Sequence, residues 1–200
     1  MDPWQQFKAA ATGHATDQVP VALIVDSPWI PPYAGLDMLD YFLLPDVWLR
    51  ENLALLKRFP DVAWIPGFWA EYGMCSEPAS FGAKCSFYEN EFPFAHPLSD
   101  ALNSIRRPDP RTDGLTPFLL RRLERMRPRI EAAGHSLRFA VARGPLNIAA
   151  FLMGASEFLM ALRTEPDQAH RMLDTITCFL EDWLRLQKER IDTIDGILLL

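Results

Sequence analysis

The sequence predicts an α/β fold built on a parallel sheet, the front part of a larger barrel, and three observations predict it. Short apolar runs rich in β-branched residues, such as Val19-Pro-Val-Ala-Leu-Ile-Val25, read as strands covered on both faces. Stretches of about 10–30 residues with helical periodicity separate them, which is the spacing of βα units. The final run, Asp195-Gly-Ile-Leu-Leu-Leu200, follows a long amphipathic stretch and reads as a buried strand with no loop after it. In parallel α/β folds the loop beyond each strand's C-terminal end carries the chemistry. A closed eight-stranded barrel takes about 250 residues. The 200 residues here are therefore expected to form one domain, residues 1–200, truncated at its C-terminus.

The first strand, 19–25, runs into Asp26-Ser-Pro-Trp-Ile-Pro-Pro-Tyr33, a loop stiffened by three prolines. A helix is expected over 45–59, with Pro45 in its first turn and Trp48, Leu49, Leu53 and Leu56 at helical spacing. Asp61-Val-Ala-Trp-Ile-Pro66 reads as a second strand, followed by an aromatic and acidic loop that carries Glu71. Residues 83–87 form a weaker third strand. Residues 89–114 hold Pro93, Pro97, Pro108 and Pro110 with no clear period, the composition of a long excursion on an active-site face. Thr116 reads as an N-cap with Pro117 at the first helical position; Leu119, Leu120, Leu123 and Met126 follow. Pro128 should kink or split that helix, and Gly134 should stop it. A strand over 136–141 exits through Arg143-Gly-Pro-Leu-Asn147. Thr164-Glu-Pro-Asp167 then opens a long helix with Ala169, Met172, Leu173, Ile176, Leu180, Trp183 and Leu184 on one face.

Charge narrows the function classes. A net charge of −6 and an isoelectric point near 5.2 argue against a nucleic-acid or anionic-membrane surface. No apolar run reaches the roughly 18 residues of a membrane span, and the N-terminus lacks a signal-peptide pattern, so a cytoplasmic location is expected. Cys75, Cys85 and Cys178 are scattered, not paired in a framework, as in a reducing compartment.

Candidate site residues lie on the expected strand-exit loops. From Ala9 through Leu49 there is no Lys or Arg, so the first such loop offers Asp26, Trp29 and Tyr33. A ligand with many carboxylates calls for arginine or lysine; a flat, mostly apolar macrocycle suits this loop better, unless Trp29 and Tyr33 serve only to pack it down. Glu71 reads as a general base or substrate hook, and Glu77 as a second acid nearby, with solvated loop acids as the plain alternative. Gly144 allows close approach of a ligand or backbone. Asn147 can bond free backbone groups at the start of the next helical segment or point at a ligand, and Arg143 precedes both. Cys75, Cys85 and His96 could ligate a metal on chemistry alone, although their spacing matches no recognised zinc motif and buried or loop thiols are the default. Glu89 and Glu91 near His96 form either an acid–base cluster or a solvated loop. Arg106, Arg107 and Arg111 form an anion clamp or a solvated run. Arg121, Arg122, Arg125, Arg127 and Arg129 read as the wet face of a helix.

Three stretches together resemble the uroporphyrinogen decarboxylase superfamily: Gly144-Pro-Leu-Asn-Ile-Ala-Ala-Phe-Leu-Met-Gly154, then Glu157-Phe-Leu-Met-Ala-Leu-Arg-Thr-Glu-Pro166 with its long helix, and Asp195-Gly-Ile. The proline-rich first loop and Pro78-Ala-Ser-Phe-Gly82 match more loosely. The resemblance implies a (β/α)8 TIM barrel of which about the first five βα units are present. It implies one of two enzymes, a cofactor-free decarboxylase of uroporphyrinogen in porphyrin and haem biosynthesis, a lyase, or a methyltransferase moving a methyl group between a corrinoid (cobalamin) and a thiol with zinc. The decarboxylases carry M-R-Q-A-G-R-Y where this chain has Asp26-Ser-Pro-Trp-Ile-Pro-Pro-Tyr33, and a substrate-binding Tyr where it has Phe151. Both departures remove groups that hold an octa-acid, so the chain is closer to the methyltransferase-like branch. That branch implies a small-molecule or corrinoid-protein methyl donor, and zinc ligands, an H-x-C motif and a later cysteine, expected beyond Leu200. A corrinoid-binding partner without catalysis is a further reading.

Overall fold

The structure, a computed structural model, describes residues 2–25 and 28–200. They divide into two compact units, Met1–Trp69 and Ala70–Leu200.

The first unit begins with α1 (Pro3–Ala11), capped by Asp2, whose carboxylate accepts the Gln5 N–H at 2.8 Å. Then come β1 (Val21–Ile24), α2 (Ile30–Ala34), α3 (Met38–Leu43), α4 (Pro45–Arg58) and β2 (Val62–Ile65). β1 and β2 pair in parallel, with Val21 opposite Val62 and Ile24 opposite Ile65. The helix expected from Pro45 forms and buries Trp48, Leu49, Asn52 and Leu55. Buried Asn52 is satisfied, donating to the Tyr41 hydroxyl at 3.0 Å and to the Trp48 carbonyl at 2.8 Å.

Two expectations change here. The stretch read as a proline-stiffened loop is helical from Ile30, because Pro31 and Pro32 occupy a first turn where a missing N–H costs nothing. The first strand is shorter than 19–25 and is not covered on both faces: Val21 and Ile24 are 54% and 60% exposed. Among the described residues its sheet has two strands, β1 and β2.

The second unit continues with a 3₁₀ turn, Pro78–Phe81, then β3 (Cys85–Ser86), β4 (Phe94–Ala95), α5 (Ala101–Ser104) and α6 (Thr116–Ala132). It closes with β5 (Phe139–Ala142), α7 (Pro145–Met153), α8 (Ala155–Thr164), α9 (Pro166–Arg190) and β6 (Gly196–Leu199). The weak third strand is present, but it pairs antiparallel with β4, which lies inside the 89–114 excursion, instead of joining a parallel sheet. α6 starts one residue early: Thr116 lies inside it and its hydroxyl donates to the carbonyl of Pro110 at 2.9 Å. Pro128 does not split this helix, which runs unbroken to Ala132; Gly134 follows in the left-handed region. α7 and α8 meet at 106° across Gly154.

β5 and β6 pair in parallel, from Phe139 opposite Gly196 to Ala142 opposite Leu199. α9 buries Ala169, Met172, Ile176, Phe179, Leu180, Trp183, Leu186 and Gln187 along one stripe. The polar member of that stripe has a structural task. The Gln187 amide accepts the Val141 N–H at 3.1 Å and donates to the Val141 carbonyl at 3.0 Å, taking the place of a strand neighbour for β5. β6 is not the buried strand expected from its composition, since Ile197 and Leu199 are 64% and 53% exposed. Its sheet, like the other two, contains two strands among the described residues. The α/β class therefore holds, with strands hydrogen-bonded in pairs. Among the described residues no single helix is long and apolar enough to cross a membrane.

Candidate functional site

Arg143 leaves the C-terminal end of β5 and turns its guanidinium onto two acids distant in sequence. Its Nη2 donates to Glu71 Oε2 at 2.5 Å and its Nη1 to Glu77 Oε2 at 3.1 Å. The Arg143 backbone N–H also donates to Glu77 Oε1 at 3.1 Å, so Glu77 engages this strand exit through both carboxylate oxygens. All three side chains are buried, Glu71 to 1% exposure. Burial pushes the Arg143 pKa down, but the charges of Glu77 and Glu71 and their hydrogen bonds more than offset it, leaving it above its ordinary value. With both acids ionised the cluster carries one surplus negative charge.

The loop from Glu71 to Glu77 is held from within. Ser76 Oγ accepts the Tyr72 N–H at 2.9 Å and donates to the Gly73 carbonyl at 3.2 Å. Arg122, expected on the wet face of α6, is instead buried and donates through Nη2 to the Tyr72 hydroxyl at 2.9 Å. The signal was present in the sequence: Arg122 lies three residues after Leu119 and four before Met126, on the apolar stripe itself.

Cys75 is fully buried on this loop. The neighbouring Cys85 side chain, together with burial, raises the Cys75 thiol pKa, while the Cys75 side chain lowers that of Cys85. Cys85 Sγ also lies 3.7 Å from the Ala83 carbonyl. His96 bonds Ser86 Oγ at 2.7 Å, while Glu89 and Glu91 are exposed. Among the described residues no group of three or more His, Cys, Asp or Glu side chains is placed to hold a metal ion.

The other candidates are placed as follows. Asn147 is exposed on the first turns of α7 and donates to the Leu200 carbonyl at 2.8 Å, which also receives the Gly144 N–H. Phe151 is half-buried on the same helix. Trp29 and Tyr33 belong to the first unit, where their rings stack at 4.7 Å and lean on Trp64 and Phe59 respectively. Both packing and presentation apply to them, since they remain 40% and 51% exposed. Tyr33 also lines a pocket of about 240 Å³ with Ala34, Glu51 and Arg58. Asp26 lies outside the described residues. Arg107 and Arg111 pair with Asp182 and Glu189 of α9, fastening the excursion to that helix; Arg106 is exposed.

A search among curated proteins finds no match in sequence. Among solved structures, a methyltransferase from Methanosarcina mazei superposes with a TM-score of 0.72 at 19% identity. The match covers 98% of this chain and 58% of that one, so the chain spans under two thirds of its structural relative. The family model for uroporphyrinogen decarboxylase (URO-D) matches residues 2–190, all but the final turn and β6. By that match the chain belongs to the uroporphyrinogen decarboxylase family.

Proposed function

We propose that this chain is part of a methyltransferase-like enzyme that moves a methyl group between a corrinoid and a thiol acceptor. The observation that carries the reading is the state of Arg143. The cation at this buried strand exit is already held by two carboxylates, so it presents no open charge to an acidic substrate. The lysine- and arginine-free stretch from Ala9 to Leu49 supports the same conclusion, as does the methyltransferase among the structural relatives.

In this reading Glu71 takes the proton of the acceptor thiol. Proton uptake neutralises the surplus charge on the Glu71–Arg143–Glu77 cluster, while Arg143 keeps the second carboxylate in place. The thiolate so formed would be the acceptor of the methyl group. Asn147 and Phe151, on the helix that follows Arg143, are the residues of this unit assigned to acceptor and donor binding. A corrinoid supplies an activated methyl group when bound, either free or on a partner protein. Among the described residues no group of His, Cys, Asp or Glu side chains is placed to hold zinc.

The family match itself favours a second reading, decarboxylation of uroporphyrinogen. One experiment separates the two. The protein is supplied with methylcobalamin and a small thiol, and separately with uroporphyrinogen. Methyl transfer that falls by about 10²–10⁴ in Glu71→Gln is the expected result. Steady loss of substrate carboxylates without methyl transfer overturns it.

A further inference from the structure

We propose that Ser86 and His96 form a nucleophile–base pair that cleaves small aryl esters, a second reactive site outside the Glu71–Arg143–Glu77 cluster. Ser86 Oγ and His96 Nε2 are hydrogen-bonded at 2.7 Å. A serine hydroxyl is a weak nucleophile until a base within that reach takes its proton. The backbone sets this contact. β3 and β4 pair antiparallel with Ser86 opposite Phe94, and the His96 N–H donates to the Lys84 carbonyl at 2.8 Å. His96 therefore lies diagonal to Ser86 on the adjoining strand, a separation that an aromatic side chain spans.

Strand alternation sorts this ladder into two faces. Cys85 and Ala95 share one, and Ala95 is buried. Lys84, Ser86, Phe94 and His96 share the other, where Ser86 is half-buried and the remaining three are exposed. The Phe94 and His96 rings meet edge to face, with centroids 5.6 Å apart, which restrains the imidazole. Phe87 and Tyr88, next along the chain from Ser86, are exposed as well, and Phe87 is propped edge-on against the Tyr72 ring at 6.3 Å. Exposed rings around a paired hydroxyl suit a flat aromatic leaving group. Lys84 brings an ammonium to the same face, the charge that a developing oxyanion calls for.

The chemistry balances in two steps. Ser86 Oγ bonds to the ester carbonyl carbon as His96 Nε2 takes the hydroxyl proton, and the carbonyl electron pair moves onto its oxygen. That pair returns, the bond from carbon to the aryl oxygen breaks, and the phenol leaves with the proton from Nε2. Water then attacks the acyl-serine while Nε2 takes one of its protons. The carbon–Oγ bond breaks, Ser86 regains the proton and the carboxylic acid departs.

The test has two parts. The unsubstituted protein is treated with a fluorophosphonate probe, whose serine adduct persists, and the labelled peptide is mapped by mass spectrometry. Separately, release of p-nitrophenol from p-nitrophenyl acetate is followed in the unsubstituted protein, Ser86→Ala and His96→Gln. A probe adduct on Ser86 is expected, with release falling by about 10² or more in each variant. Because the adduct is mapped on the unsubstituted protein, misfolding of a variant does not obscure it. Absence of the Ser86 adduct overturns the proposal. So does label on another serine instead, or release that either substitution leaves unchanged.

Discussion

At the scale of single residues, the Glu71–Arg143–Glu77 cluster is held by mutual neutralisation, and removing its cation should cost more than its hydrogen bonds alone. Arg143→Ala leaves two buried carboxylates facing each other and is expected to destabilise the chain by about 3–5 kcal/mol in urea unfolding. The triple replacement Arg143→Met with Glu71→Gln and Glu77→Gln removes every charge and should lose less than Arg143→Ala; an equal or larger loss contradicts this account. His135 gives a pH dependence of known sign. Burial, and then the charge of Arg138, lowers its pKa, so the folded state favours the neutral ring. The unfolded chain therefore binds the proton more tightly. No penalty exists above the ordinary histidine value of about 6.5, and stability falls as pH drops below it. His135→Gln should flatten the urea midpoint between about pH 7.5 and 5.5; a profile superimposable on the unsubstituted chain counts against it. Glu71, Glu77 and Arg143 were each legible as strand-exit residues, because loops after parallel strands carry polar groups. Their convergence was not, since the two acids lie 72 and 66 residues from Arg143.

At the scale of elements, the long helices were legible and the short strands less so. α9 and α4 announce themselves by apolar residues at three- and four-residue spacing and by proline in the first turn. The same stripes hid their polar members, because Arg122 and Gln187 look like surface residues until a partner is in view. Gln187→Leu keeps the volume on α9 but strands the N–H and carbonyl of Val141, each buried group costing about 1–3 kcal/mol when unpaired. A loss of about 2–4 kcal/mol in urea unfolding is expected; no measurable change would mean that water replaces the amide. Pro128 shows the opposite failure of sequence rules. It is exposed within α6, and the helix continues past it.

At the scale of the whole chain, apolar strands do not imply burial. Val21, Leu23 and Ile24 on β1 and Ile197 and Leu199 on β6 are all more than 45% exposed. A groove of about 700 Å³ beside β6 is lined by Ala140, Leu184, Ile194 and Ile197. Open strand edges and apolar flanks favour association. The 200-residue chain should therefore self-associate with rising concentration in light scattering, and Leu199→Lys with Ile197→Thr should suppress it; a monodisperse chain would refute this. Family, α/β class and the main helices were determined by sequence alone, because periodicity, caps and local motifs are short-range properties. The meeting of Arg143 with Glu71 and Glu77 and the bonding of Gln187 to β5 were decided by tertiary structure. Burial and charge pairing depend on which distant segments meet in space.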